Sequence, residues 1–146
     1  MTPVFSYEVQ PEINEAEIEK FLNFAVEALV EKGVAIVNDN EIVLAFVPPE
    51  RSHSLNKEFR QKDKSTDVLS FDSADPDCIG ELILCPDVIE EQAKKNQWEA
   101  QLEYSYMIIH GLLHLLGYDH ETDDKAAAEM YALQDEIFFE YFPGAK

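Results

Sequence analysis

The stretch HGLLHLLGYDH, residues 110 to 120, constrains this chain more than any other, because it gathers three of the four histidines in the protein. His110 and His114 stand four positions apart inside an apolar run, so a helix there carries both imidazoles on one face, one turn above the other. Gly117 supplies the left-handed conformation that ends a helix, and the chain can then fold back until His120 approaches the same point. Three neutral imidazoles converging there form a transition-metal site, for one zinc ion or another divalent transition metal, with a coordination position left open.

A lone histidine in an apolar helix is more often a hydrogen-bonded core residue than a ligand, and two at this spacing are ambiguous. The third shifts the balance, because HxxxHxxGxxH has the spacing of the zinc-ligand run in the metzincin proteases. Those proteases place a glutamate after the first histidine as general base, whereas this chain has Gly111 there. The spacing therefore supports the metal, and the missing carboxylate counts against proteolysis. A closed structural zinc site with a fourth ligand from Cys78, Cys85 or Asp119 is the weaker alternative. Asp119 is also a candidate for orienting a histidine from behind, or a polar turn residue. His53 lies away from the cluster and reads as a surface residue.

Length allows one domain over residues 1 to 146 with a sizeable core, and 46% apolar with 28% charged residues is ordinary for a globular chain. The N-terminus shows neither a basic leader nor an apolar signal core, and no apolar run approaches the ~20 residues of a membrane span, which predicts a cytoplasmic protein without membrane partners. Cys78 and Cys85 are too widely spaced for a CxxC pair and read as two partly buried thiols. The net charge of −19 argues against a broad basic surface for nucleic acid. Five of the eleven basic residues, Arg51, Lys57, Arg60, Lys62 and Lys64, nonetheless cluster between positions 51 and 64, as a local anion-facing patch or a solvated helix face.

Periodicity predicts an α+β fold with about four strands in a mixed sheet, about five helices, and the metal site on a helix and the turn after it. Strands are expected at 4–9, on an edge of the sheet, and at 41–47, 68–71 and 79–85. Asn14 and Glu17 form a capping box for a helix whose core stripe is Ile18, Phe21, Leu22, Ala25 and Leu29, closed by Gly33. Residues 38–40 form a turn. A short helix over 50–60 is expected to anchor through Leu55 and Phe59, and Pro86 opens one that carries Val88, Ile89 and Ala93. The helix over 99–116 holds the first two histidines, and Leu102, Tyr106, Ile109, Leu113 and Leu116 face a core. Thr122 caps a last helix with Met130, Leu133, Ile137 and Tyr141 inward.

HGLLHLLGYDH and the block LNKEFRQKDKSTDVLSF, residues 55 to 71, together resemble the YbeY endoribonucleases, bacterial rRNA maturation factors, and the resemblance runs from about residue 40 to about residue 135. It implies a metal-dependent endoribonuclease that prefers single strands and acts in rRNA maturation and ribosome quality control, with single-stranded or ribosomal RNA and the ribosome or small-subunit assembly proteins as partners. It implies His110, His114 and His120 as metal ligands and Arg60 as the catalytic arginine of the cleft, whose guanidinium suits charge developing on a phosphodiester. Ser70 and Thr66 are candidates for positioning the cleft loop. One departure is Gly80-Glu81, where the family has glycine followed by aspartate. Two rivals are a metal-dependent hydrolase of a peptide or amide, and a non-catalytic ribosome-assembly factor with a structural metal.

Overall fold

Alternation along the second strand sorts the molecule into two unequal layers. Ile42, Leu44 and Phe46 are wholly buried in the main core, whereas Ala45 and Val47 belong to a second, smaller cluster. A period of two puts those sets on opposite faces of the sheet. The computed structural model describes residues 1–36, 40–121 and 123–145. Its elements are β1 (Thr2–Tyr7), α1 (Glu15–Glu31), β2 (Glu41–Phe46), α2 (Pro49–Arg60), β3 (Val68–Asp72), β4 (Cys78–Leu84), α3 (Pro86–Asn96), α4 (Ala100–Leu115) and α5 (Asp124–Tyr141), followed by a 3-10 turn.

The four strands form one mixed sheet in the order β1-β2-β4-β3. β1 pairs parallel with β2 and β2 parallel with β4, while β3 runs antiparallel along β4. Among the described residues the expected α+β fold with four strands and five helices is therefore present, and β1 lies at an edge. Residues of α1, α3, α4 and α5 join the main core on one face, and Leu55 of α2 packs on the smaller cluster on the other. Among the described residues no helix is long and apolar enough to cross a membrane.

Local chemistry sets the helix ends. The Asn14 side chain accepts from the Glu17 amide at 3.1 Å, and Ile18, Phe21, Leu22, Ala25 and Leu29 are all fully buried, as the stripe predicts. Pro49 and Pro86 occupy first-turn positions, where a missing N–H costs nothing. Asp123 supplies the cap of α5, accepting from the Ala126 amide; Thr122, the expected cap, lies outside the described residues, as do two of the three residues of the turn expected at 38–40. The inward face of α5 holds Met130 and Ile137 as expected, and also Gln134 and Phe138, while Leu133 and Tyr141 are only partly buried.

The anchoring of α2 differs from expectation. Phe59 is 54% exposed, touching Phe71 edge-on, and the buried residues of the helix are Ser52 and Asn56. The Ser52 hydroxyl donates to the Thr66 carbonyl and accepts from the Thr66 amide, both at 3.0 Å, and the Asn56 amide donates to the Lys64 carbonyl at 2.9 Å. These bonds hold the chain between α2 and β3 by its backbone, a role that apolar side chains cannot fill.

α4 lies at the centre, against α1, α3, α5, β3 and β4. It is apolar on most sides rather than along one stripe: Tyr104, Ile108, Ile109, Leu112 and Leu113 are all fully buried. Its backbone approaches β4 so closely that a Cβ at Gly111 would stand 2.6 Å from a methyl of Leu82.

Candidate metal centre

The last turn of α4 and the chain beyond it bring the three histidines together. Gly117, at φ +99°, donates to the His114 carbonyl, and Tyr118 donates to the Leu113 carbonyl, both at 3.0 Å. This paired 5→2 and 6→1 closure is a Schellman motif, and it needs a residue that tolerates the left-handed region. The chain then reverses, the Asp119 carboxylate accepts from the Glu121 amide at 2.7 Å, and His120 returns to the helix end.

The ring centroids of His110, His114 and His120 are 4.8 to 5.1 Å apart, and their candidate ligand nitrogens all lie within 4.8 Å of one another. His114 Nε2 and His120 Nδ1 are 2.8 Å apart. Burial, opposed by a hydrogen bond to Gln134, holds the His110 imidazolium below its ordinary range. Burial and then the neighbouring His110 and His120 push His114 down to about 4. Both are thus neutral at physiological pH, the form that binds a metal.

Gln134 decides which nitrogen of His110 faces the cluster. Its side-chain NH2 donates to the Tyr106 carbonyl at 3.5 Å, which leaves its oxygen to accept from His110 Nδ1 at 2.9 Å. Nδ1 then carries the proton and Nε2 keeps its lone pair. Tyr131 stacks on the same ring, with centroids 5.8 Å apart. Of the two roles the sequence leaves open for Asp119, the structure shows the turn, which its carboxylate closes, and Gln134 does the orienting from α5. A glutamine at helical spacing gives no signal of this; only the packing of α5 on α4 reveals it.

Among the described residues the three histidines are the group able to hold a metal, and neither Cys78, Cys85 nor Asp119 completes it. Cys78 Sγ instead donates to the Gly80 carbonyl, and Cys85 is buried. Three imidazole nitrogen donors with one tautomer fixed suit a borderline-soft divalent ion such as zinc. The position after His110 cannot serve as a base. Any side chain at Gly111 would be driven into Leu82 in the sheet.

The histidines form one wall of a cleft of about 260 Å³. β3 contributes Val68, Ser70 and Asp72 from the face turned toward α4, while Leu69 and Phe71 point to the second cluster. From the end of α2 and the following loop come Arg60, Lys62, Lys64 and Thr66. Arg60, singled out from sequence, thus opens onto the same space as the three histidines. Of the five clustered basic residues only these three line the cleft; Arg51 faces Glu8 at 3.6 Å, and Lys57 is exposed. His53 is partly exposed beside Asp63.

Three carboxylates of the cleft, Asp67, Asp72 and Glu121, lay outside the sequence expectations. Asp67 accepts from the Val68 amide at 2.7 Å, from the Thr66 hydroxyl at 3.2 Å and from the Gln92 side chain at 3.2 Å, so it fixes the start of β3. Glu121 accepts a hydrogen bond from Arg60 and stands 3.7 Å from the Lys62 ammonium and 3.9 Å from His120 Nε2. Partial burial works to raise its pKa, but Arg60 and Lys62 together hold it below the usual carboxylate range. Adjacency to His120 was the one signal that pointed to it.

Residues 5–141 match the family described as Endoribonuclease YbeY. A protein of that name from Bdellovibrio bacteriovorus is 50% identical over 98 residues, covering 67% of this chain and 65% of the relative's length. Another from Acinetobacter baylyi is 46% identical, covering 71% of each chain. One from Acinetobacter baumannii is 38% identical over 135 residues, covering 86% of this chain and 82% of that protein. The solution structure of TM1509 from Thermotoga maritima superposes with a TM-score of 0.60 at 30% identity, covering 97% of this chain and 91% of that one.

Proposed function

Because this chain belongs to the YbeY endoribonuclease family, we propose that it is a metal-dependent endoribonuclease that cuts single-stranded RNA, with ribosomal RNA as its substrate in maturation and quality control. The observation that carries the reading is the meeting of two distant blocks: Arg60, from the end of α2, opens onto the cleft walled by His110, His114 and His120. The three histidines would hold the ion, zinc by the donor set, and Gln134 keeps the His110 tautomer suited to it. Such an ion, when bound, polarises a phosphoryl oxygen and brings bound water to neutral-pH acidity.

The chain's own residues supply the rest. The Arg60 guanidinium offers paired donors to non-bridging phosphate oxygens and stabilises charge that grows as the phosphodiester breaks. Lys62 and Lys64 give the cleft further positive potential toward the flanking phosphates. Gly111 removes the protease-type base from consideration and with it the support for peptide hydrolysis. The cytoplasm, the ribosome and small-subunit assembly proteins complete the proposal as location and partners.

Cleavage of a single-stranded rRNA fragment by wild type, His114→Ala and Arg60→Ala, with bound metal measured on the same samples, tests the reading. Loss of a ligand should remove metal and cleavage together. Arg60→Ala should retain the metal and the fold while losing turnover by roughly 10²-fold or more. Full turnover by folded, metal-loaded Arg60→Ala protein would instead favour an assembly factor whose metal is structural.

A further inference from the structure

The cation pair that should receive a substrate phosphate already carries an anion from the same chain. Arg60, Lys62 and Lys64 face three carboxylates in the cleft, those of Asp67, Asp72 and Glu121. These carboxylates are not equivalent. Asp67 is held by the Val68 amide, the Thr66 hydroxyl and Gln92, and Asp72 lies exposed at the end of β3. Glu121 alone among them is paired with Arg60, and its Oε1 also stands 3.7 Å from the Lys62 ammonium.

Geometry makes this pairing a displaceable one. Glu121 is backbone-anchored by Asp119, but its side chain is 47% exposed and lies in the turn between α4 and α5. Its Oε1 accepts from the Arg60 guanidinium, as a non-bridging phosphate oxygen can. An exposed ion pair of this kind is weak enough for a stronger anion to replace.

We propose that Glu121 is an internal competitor for the phosphate subsite: its carboxylate occupies Arg60 and Lys62 until a backbone phosphate of the substrate displaces it. Rotation of one side chain exchanges the occupants, with no bond made or broken. The device sets specificity, because an anion must bring contacts beyond one oxygen pair to win the site. A polyanionic strand held also by Lys64 does so; a small free anion does not. This inference rests on the reading of the cleft as a phosphodiester site.

Two probes separate the inference from that reading: inorganic phosphate, and a short 2′-O-methyl RNA that resists cleavage, each titrated into metal-loaded wild type, Glu121→Gln, Asp72→Asn, Arg60→Ala and the Arg60→Ala/Glu121→Gln double variant. Glu121→Gln should bind both probes roughly threefold to tenfold tighter than wild type. Asp72→Asn should gain less, since it removes the same formal charge without freeing Arg60. In the Arg60→Ala background most of the gain should vanish. Equal gains from Glu121→Gln and Asp72→Asn would reduce the effect to net charge and overturn the proposal, as would unchanged or weaker binding of phosphate by folded Glu121→Gln. Tighter phosphate binding without RNA binding by any variant would keep the competitor and remove the RNA substrate. Glu121→Ser serves as a second variant if the amide perturbs the turn.

Discussion

Gln134 shows how much a single buried side chain decides at this centre. It is fully buried on α5, its NH2 is committed to the Tyr106 carbonyl, and its oxygen therefore faces a donor at His110 Nδ1. Replacing it with leucine keeps the approximate volume but leaves the His110 ring without its partner and free to change tautomer. Metal affinity of Gln134→Leu should fall about 10- to 100-fold, read by competition with a chelator of known affinity. Gln134→Glu, which keeps an acceptor at the same place, should stay much closer to wild type. Equal metal affinity in wild type and Gln134→Leu would show that the hydrogen bond is incidental. Gly111 acts on the same helix by what it lacks: the absence of a side chain lets α4 lie against Leu82, and so sets the depth at which His110 and His114 stand behind the cleft.

α2 and its following loop form the element that delivers positive charge to the site, and they are fastened by polar groups. Ser52 both donates to and accepts from the backbone of Thr66. Ser52→Ala strands an amide and a carbonyl at once, with an expected cost of about 1–3 kcal/mol. Urea denaturation gives that cost, and faster hydrogen exchange at the Thr66 amide would locate it; a stability loss with unchanged exchange there would place the damage elsewhere. The same element explains where sequence and structure part. α1 was legible because its apolar residues make one narrow stripe. In α2 the rule that aromatic residues go inside misassigned Phe59, and Ser52 and Asn56, which do the anchoring, carry no hydrophobic signal. The histidine trio was legible because eleven residues of local chain, turned at Gly117, build it. Gln134, Asp67 and the Arg60–Glu121 pair depend on packing between elements remote in sequence, and periodicity cannot reach that. The family resemblance had supplied Arg60, but not the carboxylate that meets it.

At the scale of the whole molecule, a net charge of −19 must coexist with a substrate that is itself a polyanion. Long-range repulsion slows the approach of free RNA, and only the short-range field of Arg60, Lys62 and Lys64 opposes it inside the cleft. Three phosphate contacts on a single strand give a slope of roughly −2 in log K against log salt. Added salt also screens the acidic surface beyond a distance of about 8 Å at physiological ionic strength, which works the other way and flattens the dependence at low salt. Binding of a short single-stranded RNA should therefore be weak and should weaken steeply once salt exceeds the physiological range, as fluorescence anisotropy across a salt series would record. Removing Lys62 and Lys64 together should lower the slope by about 1.4, because two contacts are lost. If the affinity for naked RNA stayed tight at high salt, recognition would have to rest on contacts other than these three cations. If it behaves as expected, a larger partner must supply the remaining affinity.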